Sequence, residues 1–335
     1  MAQVVLVHGI AQEQLSADSL EATWLPSLAG GIRAAGAADL ADRLWRAASP
    51  GDIETRMAFY GDLFIEPGMQ GDGTEPPTTA ASALADAIAE EWLRRAAVAA
   101  PGTADRHAAS RAVALLDHQP DGAQGSDNRR RAVAALAGLT WFAPGGMAFA
   151  ERFVNRSLRQ VTRYFTDEGI REAAIGRVLA LVGPETRVIV GHSLGSVVAY
   201  EAAHQLTAPL QLMLTLGSPL GLRAIIHQRL RPQPPTVPPT VRRWVNITAR
   251  DDLIAAESDL STAFGNDSRL KSAVLVDNGA GPHDATHYLT KRVTGAAIIA
   301  AFTPGLDHPE TAPVLGCRGQ HPTMACHAED HDGDG

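Results

Sequence analysis

Hydrophobic positions fall into two rhythms along this chain: short solid runs, and longer stripes at helical spacing. Val4-Val5-Leu6-Val7 and the stretch Arg187 to Val190 (RVIV) are short apolar or β-branched runs, the pattern of strands covered on both faces. Leu210 to Leu216, Trp244 to Thr248 and Ala273 to Val276 have the same character. Asp52 to Tyr60 adds a strand running into Tyr60-Gly61-Asp62. Between these runs the period changes. Leu20, Trp24, Leu28 and Ile32 recur at i, i+4, with Ser16 and Asp18 before them and Gly36 after, which predicts an amphipathic helix. Residues 37–47 predict a second, shorter one. Glu172 to Val182 carries Ala173, Ile175, Val178, Leu179 and Val182 on one stripe and is stopped by Gly183-Pro184. Val197 to Leu206 and Tyr288 to Phe302 complete the helical set. Strand, helix, strand in alternation predicts an α/β fold with a mostly parallel sheet flanked by helices.

The middle of the chain breaks this alternation. Pro67 to Pro77 is rich in Gly and Pro and reads as a loop. From Thr79 to Phe165 the sequence is Ala-rich and helical, with no strand candidate. Leu84, Ile88 and Trp92 form one stripe, and Val113 with Leu116 predicts a short second helix. Asp117 to Asn128 interrupts, and Arg129 to Thr140 resumes the pattern. Trp141, Phe142, Phe149, Phe153, Tyr164 and Phe165 then place six aromatic residues within 25 positions, around Pro144-Gly145-Gly146. They either fill the core of a helical block or wall a pocket, with the glycine pair as a hinge. Pro232 to Pro239 (PQPPTVPP) predicts a stiff extended connection. Pro304 to Gly335 is rich in Gly, His and Asp without apolar periodicity, and reads as a disordered tail. The expected layout is one domain over 1–303, a helical insertion over about 66–165, and a tail over 304–335.

Composition narrows the partners. With 45% hydrophobic and 20% charged residues, the 335-residue chain is that of a soluble globular protein. A net charge of −8, and no basic run denser than Arg129-Arg130-Arg131, argue against nucleic acid. No apolar run approaches the roughly 18 residues of a membrane span. The N-terminus lacks a basic leader, and Val4 to Val7 reads as an integral strand. Both cysteines, Cys317 and Cys326, lie in the tail, so the body is expected to fold without disulfides. The expected location is the cytoplasm.

The chemistry concentrates in Thr186 to Glu201, TRVIVGHSLGSVVAYE. A G-x-S-x-G pentapeptide alone is a weak signal. Here it joins a strand to a helix, the setting in which a tight turn projects a strained serine, Ser193, above a sheet. GHSLGSVVAYE resembles the serine segment of the α/β-hydrolase family, in its lipase and thioesterase branches. Val4 to Ala11 (VVLVHGIA), Leu214 to Leu222 (LTLGSPLGL) and the pair Trp244 to Ala256 with Val274 to Thr290 resemble the same family. Together these segments and their helices cover most of residues 1–60 and 165–303.

The resemblance implies an α/β-hydrolase sheet with a helical cap or lid inserted before the nucleophile strand. It also implies a triad in the order Ser, acid, His. Ser193 is the nucleophile it selects. The acid is expected in Arg250-Asp251-Asp252-Leu253-Ile254, where Asp252, followed by an apolar pair, is favoured over Asp251. The base is expected after Val276, where His283 and His287 compete. His283, separated by four residues from Tyr288-Leu289-Thr290, matches the family pattern better. Backbone N–H groups of Leu194 and Ile10, with Ala11 as the fallback for Ile10, are the implied oxyanion donors.

His283, Asp284 and His287 echo the H-E-x-x-H arrangement of zinc hydrolases, but no third ligand stands nearby and Asp is shorter than Glu. The tail's Cys317, His321, Cys326, His327 and His331 form a second metal candidate. The favoured reading has no metal and no cofactor. It is hydrolysis of carboxylic or lipid acyl esters through a Ser-His-Asp triad and an acyl-enzyme. Thioester cleavage on carrier-bound acyl chains is the alternative, and a non-catalytic interaction module on the same scaffold is another.

Overall fold

A computed structural model describes residues 1–46, 49–65, 79–118, 125–141, 147–255 and 257–303. The Pro67 to Pro77 stretch, Phe142, Pro144 to Gly146, the Phe149 side chain and the tail with both cysteines lie outside the described residues.

In chain order the elements open with β1 (Val4–Val7), α1 (Ala17–Ala34), α2 (Ala38–Leu44), a small ribbon of β2 (Trp45–Arg46) with β3 (Ser49–Pro50), and β4 (Thr55–Ala58). Four helices follow: α3 (Thr79–Ala99), α4 (Thr103–Asp117), α5 (Gly125–Ala137) and α6 (Met147–Thr166). Then come α7 (Glu168–Leu179), β5 (Val188–His192), α8 (Leu194–Ala203), β6 (Leu212–Leu216), β7 (Trp244–Ala249), β8 (Leu270–Val276), α9 (Ala285–Leu289) and α10 (Arg292–Phe302). Six strands form one sheet in the order β4-β1-β5-β6-β7-β8, and every neighbouring pair is parallel.

Solid apolar strands are what a parallel sheet covered on both faces demands. Val4 and Leu6 of β1 pack with α1, α2 and α10, while Val5 and Val7 pack with the helices of the other face. This is the two-residue alternation of a strand. From β1 the chain moves outward to β4, and it later returns to place β5 on the other side of β1. The carboxyl ends of β1 and β5 therefore flank the point where strand order reverses, the position where open α/β sheets form their crevice.

Several boundaries differ from the sequence pattern. β8 starts at Leu270, three residues before the predicted strand, because at the sheet edge alternate positions face outward and the polar pair Lys271-Ser272 is tolerated before the apolar run. The closing helix is two helices, since Lys291 is extended (φ −70°, ψ 138°) and caps α10. α7 begins at Glu168, earlier than expected, with the Asp167 carboxylate accepting the Ile170 N–H at 3.2 Å. The segment around Val113 is a full helix, α4.

Helices α3 to α6 stand between β4 and β5 in the chain, as the Ala-rich stretch predicted. Of its aromatics, Tyr164 donates to Glu201 at 2.6 Å. Glu201 also pairs with Arg171 in the interior and accepts the Arg231 N–H at 3.0 Å. Phe165 stands edge-on to Tyr164, and Arg171 lies over both rings. Glu201 is about two helical turns along α8 from Ser193, so these two aromatics are core at the far end of that helix. Phe153 likewise packs against the core cluster. No helix among the described residues is long and apolar enough to cross a membrane.

Candidate active site

β5 delivers the chain to Ser193 and α8 carries it away, so the serine stands alone between strand and helix. Its backbone is forced to φ 53°, ψ −129°, a region that L-residues with a Cβ adopt only at a cost. The flanking glycines permit the turn through close approach. A Cβ on Gly191 would lie 2.6 Å from the Gly195 carbonyl oxygen, and one on Gly195 would lie 2.2 Å from that of His8. The hydroxyl faces the loops after β7 and β8.

Those loops bring Asp252 and His283 to it. His283 Nε2 is 2.9 Å from Ser193 Oγ, and His283 Nδ1 is 2.7 Å from Asp252 Oδ2. A carboxylate only accepts, so Nδ1 carries the imidazole proton and Nε2 presents its lone pair to the serine hydroxyl. The rival residues make other contacts. His287 Nδ1 bonds the Asn278 carbonyl at 2.9 Å, and the Asp251 carbonyl accepts the Trp141 indole N–H at 2.7 Å.

Asp252 is buried, which by itself pushes its carboxyl pKa up. His283, Tyr288 and the Ala255 N–H outweigh that and hold it below the ordinary carboxylate value. Its Oδ1 accepts the N–H groups of Ile254 (3.0 Å) and Ala255 (3.1 Å). Its Oδ2 accepts the Tyr288 hydroxyl at 2.7 Å as well as His283. Tyr288 in turn accepts the Ala249 N–H at 2.7 Å, and burial beside Asp252 raises its pKa so that it stays a donor. Gly217 makes room for this cluster at φ 53°, since a Cβ there would stand 2.8 Å from Asp252 Oδ2. Tyr288 entered the sequence reading only as a landmark for His283. Its role as a support for Asp252 left no signal in the pattern.

The loop after β1 packs against the serine from the other side. A Cβ on Gly9 would lie 2.7 Å from Ser193 Cβ. His8 is buried and stacks on Tyr60 at 4.2 Å. Its Nε2 accepts the Tyr60 N–H at 3.1 Å, so Nδ1 is the donor to the Gly9 carbonyl at 2.8 Å. The Ala11 N–H donates to Gln160 Oε1 at 2.7 Å. Among the described residues the N–H groups of Ile10 and Leu194 have no acceptor. Leu194 is the first residue of α8, where such groups point outward and favour negative charge. Of the two candidates in this loop, Ile10 is the free one.

Two buried imidazoles set an acid limit on folding. Burial lowers His8 to about 4 and His192, which lies beside His283, to about 3. Both are neutral in the folded protein, while the unfolded chain protonates near 6.5. The unfolded state therefore binds more protons below about 6.5, and stability falls as pH drops from there toward 4. Each histidine contributes a loss that approaches, and cannot exceed, about 1.4 kcal/mol per pH unit in that window. Thermal melts from pH 7 to 5 should fall steadily, and His192→Gln should flatten the slope. A melting temperature constant across this range would contradict it.

Among the described residues no group of three or more His, Cys, Asp or Glu side chains is placed to hold a metal ion. The tail's Cys317, His321, Cys326, His327 and His331 lie outside the described residues. Compared with known proteins, the chain matches no family model, no curated protein and no solved structure. The structure shows an α/β architecture, a parallel six-stranded sheet flanked by helices.

Proposed function

We propose that this protein is a serine hydrolase of the α/β-hydrolase type that cleaves carboxylic or lipid acyl esters. The observation that carries the reading is the unbroken hydrogen-bonded line from Ser193 through His283 to Asp252, with the serine held at positive φ. In this reading Ser193 Oγ attacks the ester carbonyl while His283 Nε2 takes its proton. Asp252 keeps the imidazole in the required tautomer and stabilises the cation. Negative charge grows on the former carbonyl oxygen and is met by the Ile10 and Leu194 N–H groups. His283 then protonates the departing alkoxide, leaving an acyl-Ser193. Water, deprotonated by His283, attacks that ester, and Ser193 leaves with the proton returned. The reaction balances as ester plus water to acid plus alcohol.

An acyl-thioester would meet the same groups, and the elbow sequence resembles thioesterases as well. A panel of acetate to octanoate nitrophenyl esters, set against the matching acyl-thioesters, separates the two. Esters are expected to be the better substrates by about tenfold or more in kcat/KM. A reversed ranking would move the assignment to thioesters, and no turnover of either would remove it.

A further inference from the structure

We propose that Gln160 is a positioning residue for oxyanion stabilisation, an inference that rests on the serine hydrolase reading above. Two consecutive peptide groups form the tip of the loop after β1, and three of their four polar groups are engaged. The Gly9 carbonyl accepts from His8 and the Ile10 carbonyl accepts from Gln12 Nε2 at 3.1 Å. The Ala11 N–H donates to Gln160 Oε1. Among the described residues the Ile10 N–H is the one left without a partner, in the loop whose Gly9 packs on Ser193.

Gln160 holds its end of this arrangement in one orientation. It is buried in α6, and its Nε2 donates to Glu13 Oε2 at 2.7 Å. The other oxygen of Glu13 is 3.0 Å from Arg156 Nε. A carboxylate cannot donate and a backbone N–H cannot accept, so the two partners agree on which end of the amide carries the oxygen. Ala11 sits at φ 61°, a left-handed conformation that a residue with a Cβ leaves when nothing holds it. The bond to Gln160 is what holds it. Without that bond the Ile10–Ala11 peptide is free to turn over, bringing the Ile10 carbonyl or the Ala11 N–H to the position that the Ile10 N–H now serves.

The consequence is that the helical block between β4 and β5 is part of the catalytic apparatus and not merely a cover. Its Gln160 sets one oxyanion donor. Its Arg95 and Trp141 reach the loop of Asp252, donating to the carbonyls of Leu253 and Asp251 at 3.3 and 2.7 Å.

Three variants test this. Gln160→Met keeps the volume and removes the acceptor. It should lower kcat about 10- to 100-fold, the scale of a misplaced or weakened oxyanion donor, with little change in KM. The Ki of a trifluoromethyl ketone, which forms an oxyanion on the serine, should rise by the same factor. Glu13→Ala frees the Gln160 amide to rotate and should give a smaller loss in the same direction. The double variant E13Q/Q160E should recover most of the activity, since a carboxylate at 160 accepts from both Ala11 and the new amide. Gln160→Met with native kcat, or with reduced kcat but unchanged ketone affinity, would overturn the proposal. If Gln160→Met does not fold, Glu13→Ala with native kcat and Ki overturns it instead. Native protein that neither turns over esters nor reacts with a fluorophosphonate would instead remove the serine hydrolase reading itself, and this inference with it.

Discussion

Ser193→Ala is expected to lower kcat on ester substrates by about a millionfold, the loss seen when a serine hydrolase loses its nucleophile. His283→Ala should lose nearly as much, and the double variant little more than either alone, because the two residues act as one unit. The geometry motivates this: among the described residues the base within hydrogen-bonding reach of Ser193 Oγ is His283 Nε2, at 2.9 Å. The fold should survive the serine change, since no helix-cap bond depends on that hydroxyl and alanine preserves the Cβ. His287→Ala is the control. It removes a contact to the Asn278 carbonyl and should cost far less turnover. Steady-state kinetics on the four proteins decides the matter, and a His287 variant as inactive as the His283 variant would reassign the base.

The second large effect concerns the acid. Asp252→Asn should lower kcat about 10⁴-fold with little change in KM, as an amide that donates toward His283 imposes the wrong tautomer. The loss is compounded here because both carboxylate oxygens accept, Oδ1 from the Ile254 and Ala255 N–H groups and Oδ2 from His283 and Tyr288, and an amide has an acceptor at only one end. Asp251→Asn should be close to native, since Asp251 meets Trp141 through its backbone carbonyl, which the substitution keeps. Measured kcat for the two asparagine variants, with melting temperatures to exclude unfolding, tests this. The opposite ranking would exchange the two roles.

Much of this site was legible because its signals are local. The strand, turn and helix around Ser193 lie within sixteen consecutive residues, and the glycines that permit the turn are part of the same motif. Asp252 and His283 were legible only as members of competing pairs, Asp251 with Asp252 and His283 with His287, following the right strands. What separates each from its rival is contact across the fold, Asp252 to His283 over 31 residues of chain and His283 to Ser193 over 90. Gln160 and Tyr288 were not legible. Gln160 meets Ala11 across 149 residues of chain and Tyr288 meets Asp252 across 36, and neither spacing leaves a trace in a hydrophobic pattern. The same limit shaped the fold reading. Solid apolar runs mark the central strands, whereas the burial of β8 alternates at the sheet edge and its first three residues carry no such run. The break between α9 and α10 depends on one extended residue, Lys291, within a stretch that is helical by composition on both sides.

The central claim is that Ser193 is a nucleophile activated by His283. Incubation with a fluorophosphonate, followed by peptide mass spectrometry, tests it most directly. The account predicts one equivalent of label on Ser193 in the native protein, and none there in the Ser193→Ala or His283→Ala variants on the same timescale. Label on a different serine, or native protein that stays unmodified, would contradict it.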